Sequence, residues 1–144
     1  MTDTRTPPAE QLHYAVDLTP ADIEAIHGFL YERITPMKGD DLFGSPEQRA
    51  ARALASLVRT ATARAEVMLA RLTENPDDRH RGENLHTLRQ CWQSLVEVAE
   101  EWSDAPGFDR RRWRDVDADP AAAALRHRLV AKQRAEAADT ATQA

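Results

Sequence analysis

Apolar side chains recur at heptad spacing along two helix-length segments of the chain. The first segment has an apolar residue at every third or fourth position: Leu54, Val58, Ala61, Ala65, Met68 and Leu72. The second repeats this spacing: Leu85, Leu88, Trp92, Leu95, Ala99 and Trp102. Because a 3.5-residue repeat keeps one face of a helix turned towards a partner, the pattern predicts two antiparallel helices. The polar loop between them contains Pro76, which interrupts helical structure.

Capping residues and prolines predict four helices in all. Their expected spans are 20–34, 46–74, 83–103 and 120–138. Thr19 precedes a proline and can cap the first helix, and Ser45 with Gln48 has the spacing of a capping box. Small side chains on a second face of the 46–74 helix predict that this helix is central in a bundle.

The expected fold is therefore all-α: a helical bundle built on a long antiparallel αα-hairpin, with a shorter N-terminal helix and a peripheral C-terminal helix. We expect one helical domain over 18–138, a flexible N-terminal tail over 1–17 and a C-terminal tail over 139–144. The last helix is expected to be peripheral because its few sizeable apolar side chains form one narrow stripe. These side chains are Leu125, Leu129 and Val130.

Composition favours a cytoplasmic helical protein. The 144 residues are 42% hydrophobic and 30% charged, and no apolar run approaches the roughly 20 residues that cross a bilayer. The first residues lack the apolar segment of a signal peptide, and Cys91 has no second cysteine with which to form an internal disulfide. Arginine outnumbers lysine 17 to 2, which is typical of GC-rich coding, as in an actinobacterium or its phages or plasmids.

The leading functional hypothesis is a small non-catalytic interaction protein, either a homo-oligomer or an adaptor that binds another protein. A long hairpin with two apolar rows leaves one face uncovered when its neighbours are short. The predicted partner-binding residues lie on the last helix, because that helix becomes stable only against a second surface. They are Leu125, Leu129 and Val130. No cofactor and no membrane contact are expected.

An alternative hypothesis is a nucleic-acid-associated regulator that uses the basic 110–134 segment. Residues 1–104 hold 11 basic and 18 acidic side chains, a net charge of −7, whereas residues 105–136 hold 8 basic and 5 acidic ones, a net charge of +3. Four arginines would neutralise phosphates while an indole stacks on a base. The candidate residues are Arg110, Arg111, Arg112, Trp113 and Arg114. Interleaved aspartates favour a structural interpretation instead, in which Phe108 and Trp113 close the end of the hairpin and the arginines pair with acids.

A third hypothesis is a metal-dependent bundle enzyme. Two pairs of a carboxylate and an imidazole have the i, i+3 spacing that ferritin-like di-iron proteins use. The candidate ligands are Glu24, His27, Glu83 and His86. However, Glu83 lies in the first turn of its predicted helix, where the helix dipole alone favours an acid. We therefore expect no bound metal.

Overall fold

The computed structural model describes residues 10–40 and 42–143, which form four α-helices and no strand. The helices are α1 (Pro20–Ile34), α2 (Pro46–Glu74), α3 (Arg81–Glu100) and α4 (Pro120–Thr142). Two short 3-10 turns, Ala15–Asp17 and Thr35–Met37, flank α1. The prediction of an all-α fold is confirmed.

The helix boundaries follow from local hydrogen bonding. In the capping box of α2, Ser45 N donates to Gln48 Oε1 at 2.8 Å and Gln48 N donates to Ser45 Oγ at 3.2 Å. Asp119 caps α4 by accepting from Ala122 N at 2.8 Å. The third helix was expected over 83–103, but it begins at Arg81 and ends at Glu100. It ends earlier because the next residues form tighter turns, in which the amides of Glu101, Trp102 and Ser103 bond the carbonyls three positions back.

The core lies where α1, α2 and α3 pack against one another. On α2 the most buried face is a row of mainly small side chains: Ala51, Val58, Thr62, Ala65 and Leu69. The heptad row on the same helix is less completely covered, since Leu54, Ala61 and Met68 are only partly buried. Small side chains let neighbouring helices approach closely, and this explains why the alanine-rich face is turned inward.

Residues 12–18 belong to the folded body. Leu12, Ala15 and Leu18 are buried, and Leu12 N donates to Arg111 O at 2.8 Å. The expectation of a flexible tail over 1–17 is therefore wrong for residues 12–17, because their apolar side chains fill space in the core. Residues 1–9 lie outside the described part of the chain.

The segment between α3 and α4 is tied to α1. Trp113 is buried in a cluster of three rings, with its centroid 4.7 Å from Phe29 and 5.3 Å from Phe108 in edge-to-face arrangements. Beside it, Arg112 donates to both carboxylate oxygens of Asp22, with Nε–Oδ1 at 2.8 Å and Nη2–Oδ2 at 2.6 Å. These contacts close one end of the bundle.

In contrast, α4 projects from the body. None of the other described helices packs against it, and it contains no buried residue. It extends to Thr142, so residues 139–142, expected in a C-terminal tail, are helical; Ala144 lies outside the described residues. Over the described ranges, no helix combines the length and the apolar character needed to span a membrane.

Candidate functional site

An open groove of about 570 Å³ runs between α2 and α3. Its lining comes from these two helices and the turn after α3, and neither α1 nor α4 contributes. From α2 come Leu54, Leu57, Val58, Thr60, Ala61 and Arg64. The opposite wall consists of Thr87, Gln90, Cys91, Ser94, Leu95, Glu97, Val98, Glu101 and Trp102.

The groove has an apolar floor. Val58 and Leu95 are buried at its base, while Val98 and Trp102 are half-buried and face the opening. Leu57 stands on the α2 rim with 68% of its surface exposed. Because the side chains at the centre of both walls are small, the two helices leave a depression there. The groove therefore offers apolar surface that no other described segment covers.

Charged and polar groups line its rim. Glu97 lies in the last turn of α3, Glu101 follows directly after the end of that helix, and Arg64 lies on α2. The Ser94 hydroxyl donates to Gln90 O of its own helix at 3.1 Å, so it is engaged within α3. Burial raises the pKa of the Cys91 thiol, an effect that Arg64 partly opposes. A thiol with a raised pKa stays protonated near neutral pH and serves as an apolar lining group.

The predicted partner-binding residues lie on α4 and outside the groove of their own chain. Leu125 is 50% exposed, Leu129 53% and Val130 37%. They therefore form an apolar stripe that is open to solvent. The helix that carries this stripe is attached to the body through its first turns. There Arg126 donates to Asp117 with Nη2–Oδ2 at 2.8 Å.

The structure separates the five candidate nucleic-acid-binding residues. Arg110 and Arg111 are exposed and Arg114 is half-buried, whereas Arg112 and Trp113 are buried. The hydrogen bond to Asp22 raises the pKa of the Arg112 guanidinium, which is therefore committed to an internal ion pair. A site that presents all five residues to a nucleic acid is not present in this fold, because two of them hold the end of the bundle together. The indole has no face open for stacking on a base.

The four candidate metal ligands are not brought together. His27 lies beside Tyr31 on α1, with ring centroids 6.2 Å apart, and Glu83 faces His80 with Nδ1–Oε2 at 3.5 Å. Across residues 10–40 and 42–143, no three His, Cys, Asp or Glu side chains are placed to hold a metal ion.

The two apolar rows predict an uncovered face on the hairpin, but they do not locate the groove on it. Some residues that line the groove, such as Leu57 and Ser94, lie next to the heptad rows and are not part of the repeat. The available signal was a large apolar residue beside the α2 stripe combined with small residues at the matching level of α3. Comparisons with protein-family models, with curated proteins and with solved structures find no match for this chain.

Proposed function

We propose that this chain is a small non-catalytic interaction protein whose α2–α3 groove receives an amphipathic helix of a protein partner. The observation that carries the proposal is the uncovered apolar floor of the groove, with Val98 and Trp102 half-buried and Leu57 exposed on the rim. Amphipathic helices bind such grooves through side chains spaced three and four residues apart.

The dimensions of the groove favour a helix over a small molecule. Its α2 wall extends from Leu54 to Arg64, about 15 Å at 1.5 Å per residue, which is close to three helical turns. Small-molecule sites add a few converging polar groups that orient the ligand. Here the Ser94 hydroxyl bonds its own helix and the carboxylates stand on the rim. The groove can thus bind a partner mainly through apolar contacts along its length.

A photo-crosslinking residue tests the proposal. We would place it at position 57, on the rim of the groove, and as a control at position 67 of the same helix, where Val67 is 47% exposed outside the groove. In cells that express the chain, position 57 should give a protein adduct and position 67 should not. Mass spectrometry of the adduct would identify the segment in contact.

A blocking variant shows whether the adduct depends on the groove. Ser94→Arg places a long side chain in the groove from an exposed position, so the fold should tolerate it, and the adduct should disappear. His86→Arg, at an exposed position of α3 outside the groove, should leave the adduct unchanged. Absence of an adduct at position 57, or equal adducts at both positions that survive Ser94→Arg, would contradict the proposal.

A second candidate, a nucleic-acid-associated regulator, is favoured by the charge on α4. Four cations lie between Pro120 and Ala135 with no acid among them: Arg126, Arg128, Lys132 and Arg134. Binding to duplex DNA through these cations would weaken steeply between about 50 and 200 mM salt, because each neutralised phosphate releases counterions. Absence of any complex with duplex or single strands at low salt would eliminate this candidate.

A further inference from the structure

Among the helices that the structure describes, α4 is the one without a packing partner, and its few large apolar side chains form a single narrow stripe. Its stripe is solvent-exposed, with Leu125 and Leu129 one turn apart and each about half-exposed. An isolated helix gains little from propensity alone, so a second surface is needed to hold it firmly. The groove is the matching feature of the body, since it exposes apolar surface that no described segment covers.

Charge complements the apolar match. Arg128 and Lys132 are four residues apart, and each follows a leucine of the stripe by three positions, so they flank the stripe on one side. On the groove, Glu97 and Glu101 are also four residues apart. A four-residue separation is about 6 Å along the axis of α4. Glu101 directly follows the end of α3 and keeps helical dihedral angles, so it lies at a similar distance from Glu97. Two cations beside the stripe therefore have the spacing of two carboxylates on the rim.

These charges are available for such a contact. Arg128, Lys132 and Glu101 form no ion pair within the described residues, and Glu97 accepts only from Gln93 of its own helix, at 3.2 Å.

The helix α4 is attached to the side of α3 that faces away from the groove, so it cannot fill the groove of its own chain. The segment that leads into it is held by Trp92, whose Nε1 donates to Arg114 O at 2.9 Å, and by Arg89, whose Nε donates to Val116 O at 2.8 Å. At 3.6 residues per turn, positions 89 and 92 lie on the opposite side of α3 from groove residues 91, 94 and 98. The groove of a second copy has no such restriction.

Resting on the proposed function, we infer that the occupant of the groove is α4 of a second copy of this chain. The two copies form a symmetric dimer in which each α4 lies in the groove of the other. A two-fold arrangement makes the same contact twice, so a narrow stripe contributes doubly to the association. Leu125 and Leu129 meet the apolar floor, and Arg128 and Lys132 face Glu97 and Glu101.

A charge-swap experiment tests this dimer by sedimentation equilibrium of the full chain. We expect the unaltered chain to be a dimer. The α4 variant Arg128→Glu/Lys132→Glu and the rim variant Glu97→Lys/Glu101→Lys should each raise the dimer dissociation constant about tenfold or more, because like charges then face each other. All four positions are on the surface of the body or on α4, and circular dichroism would verify that both variants fold.

Mixing the two variants is the decisive step. In the mixed dimer, the new glutamates on α4 of one variant face the new lysines on the rim of the other. The unaltered α4 cations of the second variant face the unaltered rim carboxylates of the first, so both contacts are attractive. We therefore expect a 1:1 heterodimer to form where neither variant self-associates. At about 100° per residue, Arg134 lies on the side of α4 opposite Leu125 and Leu129, the two residues that meet the groove floor. Arg134→Glu should therefore leave the dimer unchanged.

Three results would overturn the inference. The first is a monomeric unaltered chain at the highest concentration that stays in solution. The second is a dimer that neither double variant weakens. The third is a pair of weakened variants whose mixture does not form a heterodimer. Failure of the inference is distinguishable from failure of the proposed function. An adduct at position 57 with a different protein would support the groove as a docking site while excluding a second copy as its occupant.

Discussion

The helices α3 and α4 have similar lengths and opposite roles in the fold. α3 has 20 residues and buries eight of them, whereas α4 has 23 residues and buries none. Both sequences favour helix, and the alanines of α4 do so most strongly. The difference is that α3 repeats large apolar residues along its whole length. Intrinsic propensity thus determines that a segment is helical, and the spacing of large apolar side chains determines what it packs against.

The ion pairs of the two regions differ in the same way. Asp22 and Arg112 join α1 to the segment after α3, and both side chains are almost fully buried. Asp117 and Arg126 join that segment to α4, and the arginine is largely exposed. A buried charge that loses its partner is costly, whereas an exposed one is solvated by water. Loss of the Asp22–Arg112 pair should therefore destabilise the body. Loss of the Asp117–Arg126 pair at α4 should cost little.

The largest expected difference is between alanine substitutions of leucines in the two regions. Leu95→Ala removes a fully buried side chain and should lower the free energy of unfolding by about 2–5 kcal/mol. Leu129→Ala and Leu57→Ala change exposed side chains and should stay within about 0.5 kcal/mol. Urea denaturation at low protein concentration measures the free energy of unfolding of all three variants. Similar losses for Leu95→Ala and Leu129→Ala would place α4 in the core.

Removing one partner from each ion pair gives the next comparison. Arg112→Ala leaves the Asp22 carboxylate buried without its cation and should cost about 3–5 kcal/mol of stability. Arg126→Ala should have little effect on the melting of the body, because its partner can be solvated. Thermal or urea unfolding checks both variants. A mild effect of Arg112→Ala would show that the contact to α1 does not fasten the bundle.

The smallest effect concerns acid. The hydrogen bond from Arg126 lowers the pKa of Asp117 below its ordinary value of 3.8. The pair therefore contributes its full stabilisation above that pH, and the contribution is lost as the pH falls through the lowered pKa. We expect the first turns of α4 to exchange amide hydrogens faster in that acid range, after correction for the intrinsic rate. In Asp117→Asn this additional acid response should be absent, and its persistence there would point to another group.

Much of the helical framework can be predicted from local signals. The capping residues Thr19, Ser45 and Asp119 each precede a proline and mark the starts of three helices, which begin at those positions. The third helix has no side-chain cap, and its expected start at residue 83 is two positions late. Local chemistry is therefore sufficient where a cap exists and inaccurate where it is missing.

The contacts that order the ends of the bundle could not be predicted in this way. Asp22 and Arg112 are 90 positions apart, and nothing in the spacing near either residue points to the other. Leu12 and Ala15 lie in a short polar segment without a helical period, so their burial depends on a surface that exists only after folding. The groove likewise could not be predicted from either helix alone, because it is formed by α2 and α3 together.

Sedimentation and urea denaturation of the full chain and of a truncation ending at Asp119 test most directly whether α4 serves association and not the core. We expect the full chain to be a dimer and the truncation to be a folded monomer. At concentrations where the full chain dissociates, the two should share the same urea midpoint. If instead both are monomers and the truncation unfolds at a much lower urea concentration, α4 is part of the core of its own chain and the account is wrong.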